Sequence, residues 1–244
     1  MLKAFAGGRL FGSTHGSTPA RVVALPGWRH DHRDFSAVLS GFDALAIDPP
    51  GFGTTPEPPD GWGAADYANA VAPVLEETSE RVVLVGHSFG GRIGVHLAAQ
   101  HPSRVAGLVL AGVPLLHRAD RSGAKPPLGF RVVRLLHRRG IVSDDRMEAM
   151  RRSHGSADYR AASGVMREVL VRSVNESYED VLGEVACRVE LVWGAEDDQV
   201  PVEVAERAAA LVSDGYLTVL PGVGHMVPVQ APDALRDAIG RCLT

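Results

Sequence analysis

The strongest constraint on the fold is a serine that stands between a predicted strand and a predicted helix. Residues 82–85 form an unbroken apolar run of mostly β-branched residues, which is typical of a strand buried on both faces. Gly86-His87-Ser88-Phe89-Gly90 follows directly, and an amphipathic helical pattern begins after it. Flanking glycines permit a tight turn that exposes the Ser88 hydroxyl above free N–H groups of the helix, as a nucleophile that generates an oxyanion requires. The alternative interpretation is a glycine-rich turn with an incidental serine.

The length and composition are ordinary for a globular protein and exclude several classes. The 244 residues, 45% hydrophobic and 22% charged, suit one large α/β domain with a sizeable core. A net charge of −4 gives no reason to expect nucleic acid as a partner. We expect Cys187 and Cys242 to be reduced core thiols, and no cluster of histidine and cysteine indicates a metal site.

The apolar runs of the sequence are short. None approaches the length of a membrane span, and the stretch at residues 1–6 is too short for the core of a signal peptide. We therefore expect a cytoplasmic protein without stable membrane insertion. No motif implies an organic cofactor, so a small-molecule substrate is the partner that we expect.

Strand patterns alternate with helical patterns along most of the chain. Predicted strands cover residues 2–5, 9–13, 21–25, 44–47, 82–85, 105–111, 188–193 and 216–220. This alternation predicts a mostly parallel, doubly wound α/β sheet of about eight strands, with helices on both faces. Right-handed crossovers place the loops after the strands along one edge of the sheet, where ligands bind in open α/β folds.

Residues 115–184 interrupt this alternation with several helical patterns and no clear strand. Such a connection is far longer than usual. We expect a core of residues 1–114 and 185–244 with a helical segment inserted between core strands. The inserted segment carries a run of basic residues, Arg118, Arg121, Lys125, Arg131, Arg134, Arg138 and Arg139. This run is either a lid face that attracts an acidic substrate or an anionic membrane surface, or the solvated face of a packed helix.

Three loops at the predicted ligand edge carry a serine, an acid and a histidine in chain order. Ser88 follows one strand, Asp197 and Asp198 follow another, and His225 follows the last. Histidine has a pKa that suits removal of a serine proton near neutral pH. The acid fixes the tautomer of the imidazole and stabilises its cation, a task open to Asp197 and to its neighbour Asp198.

The segments GHSFGG, WGAEDDQVP and GVGHMVP resemble the nucleophile, acid and base segments of the α/β-hydrolase family. DPPGFG and LPGW resemble two further loops of that family, the second being its oxyanion loop. The resemblance covers nearly the whole chain and implies the α/β-hydrolase fold with a helical cap at residues 115–184. By position, it makes Ser88 the nucleophile, Asp197 the acid and His225 the base. It assigns the oxyanion hole to the backbone N–H groups of Trp28 and Phe89.

The chain departs from the family in the oxyanion loop, where Pro26-Gly27 replaces the His-Gly of many members. Because the donors are backbone groups, we expect the hole to survive with different hydrogen bonds around the loop. Ser88 argues against epoxide hydrolases and haloalkane dehalogenases, which share the fold and need aspartate at that position.

Further side chains are candidates for the substrate pocket, namely Arg29, His30, His87, Met166 and Met226. Arg29 and His30 follow the oxyanion loop, and His30 and His32 have the alternative interpretation of a polar helix start. His87 and Met166 have the alternative interpretation of packing residues. We expect Asp48 to brace its own loop rather than to perform catalysis.

The sequence as a whole predicts a serine hydrolase that acts on a carboxylic ester of a small or medium hydrophobic substrate through an acyl-enzyme. Hydrolysis of lactones or thioesters, C–C bond hydrolysis of diketones and perhydrolysis use the same triad, and the fold does not choose among them. Alternatives of other classes are a non-catalytic ligand receptor on the same fold and a lyase or cyclase with His225 as its base.

Overall fold

One eight-stranded sheet forms the centre of the protein in the computed structural model. The structure describes residues 2–116, 133, 135–137, 139–143, 145–147, 149–150 and 157–244. The strands are β1 (Leu2–Phe5), β2 (Leu10–His15), β3 (Ala20–Leu25), β4 (Ala44–Asp48), β5 (Thr78–His87), β6 (Val105–Ala111), β7 (Arg188–Gly194) and β8 (Gly215–Leu220). Their order across the sheet is β1-β2-β4-β3-β5-β6-β7-β8. β2 pairs antiparallel with β1 and β4, and the other neighbours pair in parallel.

Helices cover both faces of this sheet. The α-helices of the fully described segments are α1 (Ala64–Val71), α2 (Phe89–Gln100), α3 (Ala157–Ala161), α4 (Gly164–Ser173), α5 (Glu179–Gly183), α6 (Val202–Leu211), α7 (Val227–Gln230) and α8 (Pro232–Leu243). Shorter 3-10 helices lie at Ala6–Gly8, His32–Phe35 and Ala72–Glu77. The predicted α/β fold class, with a mostly parallel sheet between helical layers, is confirmed.

Alternate residues of the central strands point into two separate apolar layers. Val82 and Leu84 of β5 join a cluster with residues of α1, α2 and α6, whereas Val83 and Val85 join a cluster with residues of α8. The four β5 side chains are completely buried, which explains why the strand reads as a continuous apolar run. Burial on both faces holds the end of β5 at a fixed position in the middle of the ligand edge.

The apolar periodicity of residues 31–39, 64–77 and 159–174 predicts one helix in each range, and the structure differs in all three. The pattern at residues 31–39 gives only the 3-10 helix His32–Phe35, and the pattern at residues 64–77 changes from α1 to a 3-10 helix. Pro73 lies in the first turn of that 3-10 helix, where its missing N–H ends the α-helical hydrogen-bond ladder. The pattern at residues 159–174 is divided into α3 and α4.

Residues 115–184, for which the sequence predicts an inserted segment, lie between β6 and β7 in the chain. A hydrogen bond from the backbone N–H of Tyr178 to the carbonyl of Leu115 joins its two ends at 3.0 Å. A second hydrogen bond joins α4 to the core, because the buried guanidinium of Arg92 in α2 donates to the carbonyl of Ser173 at 2.6 Å. The predicted basic face falls mainly on residues 117–132, 134 and 138, outside the described residues. No helix in the described ranges has the length and hydropathy to cross a bilayer.

Candidate active site

Ser88 occupies a strained turn between β5 and α2. Its φ of 48° lies in the left-handed region, where residues other than glycine are uncommon. Its backbone N–H donates to the carbonyl of Ala111 at 2.9 Å, and Phe89 opens α2 directly after it. A side chain at Gly90 would collide with the carbonyl of Leu25, so the turn requires glycine there. The predicted strand-serine-helix turn is therefore present, and it places Ser88 at the ligand edge.

His225 and Asp197 form a hydrogen-bonded pair after β8 and β7. Nδ1 of His225 lies 2.8 Å from Oδ2 of Asp197, whose other oxygen accepts the backbone N–H groups of Gln199 at 2.9 Å and Val200 at 2.8 Å. Because a carboxylate only accepts, Nδ1 carries the proton, and Nε2 of a neutral imidazole is left as a base. Asp198, the other acid considered, is exposed. The geometry pairs the histidine with Asp197.

The hydrogen bonds of Asp197 also fix its charge. Burial alone would raise the pKa of this carboxyl, but the hydrogen bond from His225 and the backbone donors outweigh burial, so the pKa lies below its usual value. Asp197 is therefore a carboxylate near neutral pH. A charged acceptor at this position holds the imidazole in one tautomer and stabilises its cation.

The backbone of Gly112 and of the residue before it contacts both His225 and the turn that carries Ser88. A side-chain carbon at Gly112 would lie 3.0 Å from both Nδ1 and Cε1 of His225, so the ring stands directly against this backbone. The preceding residue, Ala111, accepts the hydrogen bond from Ser88 N. Ser88 and His225 are thus held against two consecutive residues, Ala111 at the end of β6 and Gly112 directly after it.

His87 supports the loop that carries His225. Its Nε2 lies 2.9 Å from the carbonyl oxygen of His225, so Nε2 is the protonated nitrogen, while Nδ1 has no partner among the described residues. The side chain is 1% exposed. Burial, followed by the nearby His225, lowers the pKa of His87 to about 3, so its ring is neutral. The structure places this candidate pocket residue among packing neighbours rather than at a surface.

The loop after β3 lies beside the nucleophile. A side-chain carbon at Gly27 would lie 3.2 Å from Cβ of Ser88, which puts the backbone before Trp28 against the serine turn. Asp48 holds this loop, because its carboxylate accepts the backbone N–H of His32 at 2.6 Å and lies 2.8 Å from Nδ1 of the same residue. The carboxylate of Asp48 therefore braces the loop after β3, and His32 is the partner that the sequence did not reveal. In its own loop, the backbone carbonyl of Asp48 accepts a hydrogen bond from the Thr55 hydroxyl at 2.7 Å.

Aromatic rings pack around the two proposed oxyanion residues. Trp28 contacts Phe52 and Phe89 edge to face at 5.6 and 5.5 Å, and Phe52 stacks on Phe89 at 5.3 Å. Tyr67 of α1 meets Phe89 at 5.1 Å. Burial, and then the charge of Glu57, raise the pKa of the Tyr67 hydroxyl. Sequence reasoning missed this cluster, although Phe52 lies in DPPGFG and Tyr67 on the apolar face of a predicted helix.

The predicted pocket residues are not all in one place. Arg29 and Met166 line a cavity of about 190 Å³ together with Trp28, and Arg29 lies 3.6 Å from Asp158 of α3. His30 is paired with Asp34 at 2.6 Å. Met226 is half-buried directly before α7. In the described part of the chain, no three histidine, cysteine or acidic side chains converge as metal ligands would.

Comparison with known proteins identifies the family. Residues 22–238 match the sequence model of the alpha/beta hydrolase family. The chain belongs to this family. The resemblance seen in the motifs is thereby confirmed, and the protein is a hydrolase.

Its relatives bear different names. A 2-hydroxy-6-oxononadienedioate/2-hydroxy-6-oxononatrienedioate hydrolase of Cupriavidus pinatubonensis (strain JMP 134 / LMG 1197) is 27% identical over 241 residues, which cover 86% of this chain and 78% of the relative. A pimeloyl-(acyl-carrier protein) methyl ester esterase of Pectobacterium carotovorum subsp. carotovorum (strain PC1) is 24% identical over 258 residues, covering 94% and 96%. A serine hydrolase involved in carbazole degradation shares the fold with a TM-score of 0.71 at 20% identity, covering 100% of this chain and 98% of that one.

Proposed function

We propose that this hydrolase cleaves a carboxylic ester of a small or medium hydrophobic substrate through an acyl-enzyme on Ser88. The observation that carries the proposal is the pair of His225 and Asp197, joined at 2.8 Å beside the strained serine turn. A relative that covers nearly the same length is named a methyl ester esterase, which supports the ester among the possible acyl substrates.

The first half of the reaction forms the acyl-enzyme. Nε2 of His225 takes the proton of the Ser88 hydroxyl as the oxygen attacks the ester carbonyl carbon. Backbone N–H groups of Trp28 and Phe89 stabilise the oxyanion of the tetrahedral intermediate, as the position of both residues beside Ser88 supports. The C–O bond to the alcohol then breaks, and the alcohol leaves with the proton from His225.

The second half releases the acid. Nε2 of His225 takes a proton from water, whose oxygen attacks the acyl carbon, and the second tetrahedral intermediate expels Ser88 with that proton. Asp197 remains a carboxylate throughout and keeps the imidazole in the orientation that both steps need. The product is a free carboxylic acid, and the enzyme returns to its starting protonation.

The cap over this site is also part of the proposal. We assign residues 115–184 to the cap and residues 1–114 and 185–244 to the core. Two contacts support this division. A side-chain carbon at Gly51, in the loop after β4, would collide with Sδ of Met166 from α4. The Sδ atom also lies 3.9 Å from the hydroxyl of Tyr67. The apolar rings below Met166 suit a hydrophobic acyl or alkyl group.

The test is covalent labelling followed by turnover. Wild-type protein is treated with a fluorophosphonate, its intact mass is measured, and the adduct is mapped with the Ser88→Ala variant as control. We expect one adduct on Ser88 and a kcat about 10⁶-fold lower in the variant on a responsive ester. A kcat at a tenth of the wild-type value in the variant would contradict the assignment of the nucleophile.

A substrate panel then tests the ester itself. Esters, lactones, thioesters and a 2-hydroxy-6-oxo-dienoate of the class that names one relative are compared by kcat/KM. We expect the esters to give the largest values. A labelled Ser88 with turnover of the dienoate alone would replace ester cleavage by C–C bond hydrolysis, and labelling without turnover of any member would favour a receptor.

A further inference from the structure

The cavity beside the oxyanion loop is lined by aromatic side chains and by one acidic side chain, Glu57. It has a volume of about 190 Å³, and its walls include Trp28 and Phe52 from two core loops and Met166 from the inserted segment. Residues 161–163 close the side toward α3 and α4. Trp28 also supplies a proposed oxyanion donor, so this cavity adjoins the proposed active site.

Two charged side chains line this cavity, and they differ in their partners. Arg29 is paired with Asp158, 3.6 Å away. Glu57 has no cationic nitrogen within 4.0 Å of its carboxylate among the described residues. Among the described residues, the positive charge at the wall is therefore paired with Asp158, whereas the exposed carboxylate of Glu57 has no such ion pair. An uncompensated carboxylate attracts a cation and repels a carboxylate.

Glu57 also faces a second, outer cavity of about 630 Å³, which Trp62 and the prolines of the same loop line. Arg9 lies at this outer cavity and not at the inner one, and its guanidinium donates to the carbonyl of Ala6. In the described part of the chain, Glu57 thus has no ion pair at either cavity.

From these observations we infer that the inner cavity is a subsite for an organic ammonium group of the substrate. A quaternary or alkylated ammonium has apolar methyl groups for Met166 and a diffuse positive charge for the faces of aromatic rings. Glu57 supplies the opposite charge. It therefore favours a cationic substrate over neutral or anionic molecules of the same shape. The inference rests on the proposed ester hydrolysis, because it assigns the cation to one part of the ester.

The test compares esters that differ only in charge. One pair is a choline ester and the neohexyl ester of the same acid, with the charge on the alcohol. The other pair is the methyl ester of a trimethylammonio-butanoate and its tert-butyl isostere, with the charge on the acyl group. We expect wild-type protein at low salt to prefer the cation in one pair by about tenfold in kcat/KM. The pair that shows the preference identifies the side of the ester that enters the cavity.

The variants are Glu57→Gln, which removes the charge and keeps the shape, and Glu206→Gln, which removes an exposed charge on α6. We expect Glu57→Gln to abolish the preference by lowering kcat/KM for the cationic ester more than for its neutral isostere, whereas Glu206→Gln retains both the preference and the activity. Equal rates within both pairs in wild-type protein, or a preference that survives in Glu57→Gln, would overturn the subsite while ester hydrolysis stands.

A binding measurement separates the subsite from the reaction. If no ester is hydrolysed, the proposed function fails, and calorimetry with tetramethylammonium then decides the subsite. We expect binding to wild-type protein that weakens by about tenfold in Glu57→Gln and is unchanged in Glu206→Gln. Wild-type protein that gives no binding heat, or the same affinity in Glu57→Gln, would refute the ammonium subsite.

Discussion

Two histidine–aspartate pairs in this protein have nearly the same geometry and different surroundings. Nδ1 of His225 lies 2.8 Å from Asp197, and Nδ1 of His32 lies 2.8 Å from Asp48. Both aspartate side chains are completely buried, and both accept backbone N–H groups as well. A search for the distance alone would not distinguish the two pairs.

The difference lies in what each pair faces. His225 stands against Gly112, one residue from the carbonyl that holds the backbone of Ser88. His32 belongs to a 3-10 helix, and its pair with Asp48 connects that helix to the end of β4. The comparison teaches that a hydrogen-bonded acid gives histidine a fixed orientation, and that the neighbour of the free nitrogen determines its use. We therefore propose a catalytic role for the first pair and a loop-supporting role for the second.

The largest contrast is expected from matched carboxamide substitutions. Asp197→Asn should lower kcat by about 10⁴, because an amide N–H in place of the acceptor stabilises the wrong tautomer of His225. Asp48→Asn should lower kcat less than tenfold and reduce the free energy of unfolding by about 1–3 kcal/mol, since it weakens a buried hydrogen-bond network. Steady-state kinetics and urea unfolding measure both quantities. A folded Asp48→Asn protein as inactive as Asp197→Asn would break the distinction.

A second contrast uses two glycines with positive φ that contact the two pairs. Gly112 has a φ of 56°, and an alanine there would press its Cβ against His225, so we expect kcat to fall by about 10²-fold. Gly53 has a φ of 53°, and an alanine there would collide with Asp48. Gly53→Ala should therefore cost about 1–3 kcal/mol of stability, with kcat of the folded protein little changed. Thermal unfolding and kcat, determined for both variants, test this; equal losses of kcat would contradict it.

The smallest expected effect concerns His87, which is hydrogen-bonded to the backbone of His225 in the first pair. The buried neutral His87 has a pKa of about 3, whereas a histidine in the unfolded chain titrates near 6.5. The unfolded state therefore binds more protons below pH 6.5, and stability is lost as the pH falls from there toward 3. We expect wild-type protein to lose about 2 kcal/mol more than His87→Gln between pH 7.5 and pH 5. Parallel curves of unfolding free energy against pH would contradict the buried neutral state.

The sequence predicts the fold well because the central parallel strands are buried apolar runs followed by turn signals. The same property explains the prediction of Ser88, Asp197 and His225, since parallel strands bring the loops after them to one edge. The structure adds the hydrogen bond that joins Asp197 to His225 and leaves Asp198 exposed. The roles of these residues in turnover stay predictions until the labelling experiment is done.

Other features depend on distances that no sequence pattern contains. The approach of His32 to Asp48 depends on how a 3-10 helix packs against β4, and residues 31–39 predict a longer helix instead. The rings of Trp28, Phe52 and Tyr67 come from segments far apart in the chain, so their contacts follow from the packing of loops over the sheet. Glu57 is one acid of a proline-rich loop in the sequence, and its place at a cavity wall follows only from the fold.

The hydrogen bond between Tyr178 and Leu115 determines how well this enzyme tolerates insertions and deletions in the predicted inserted segment. It joins the two ends of the predicted inserted segment between the neighbouring strands β6 and β7. The segment is therefore attached to the core as a loop whose ends lie close together. A longer or shorter insertion at such a point costs little loop entropy and leaves the strand register intact. A change in the length of this segment is therefore expected to leave the loops at the sheet edge, with Ser88, Asp197 and His225, in place.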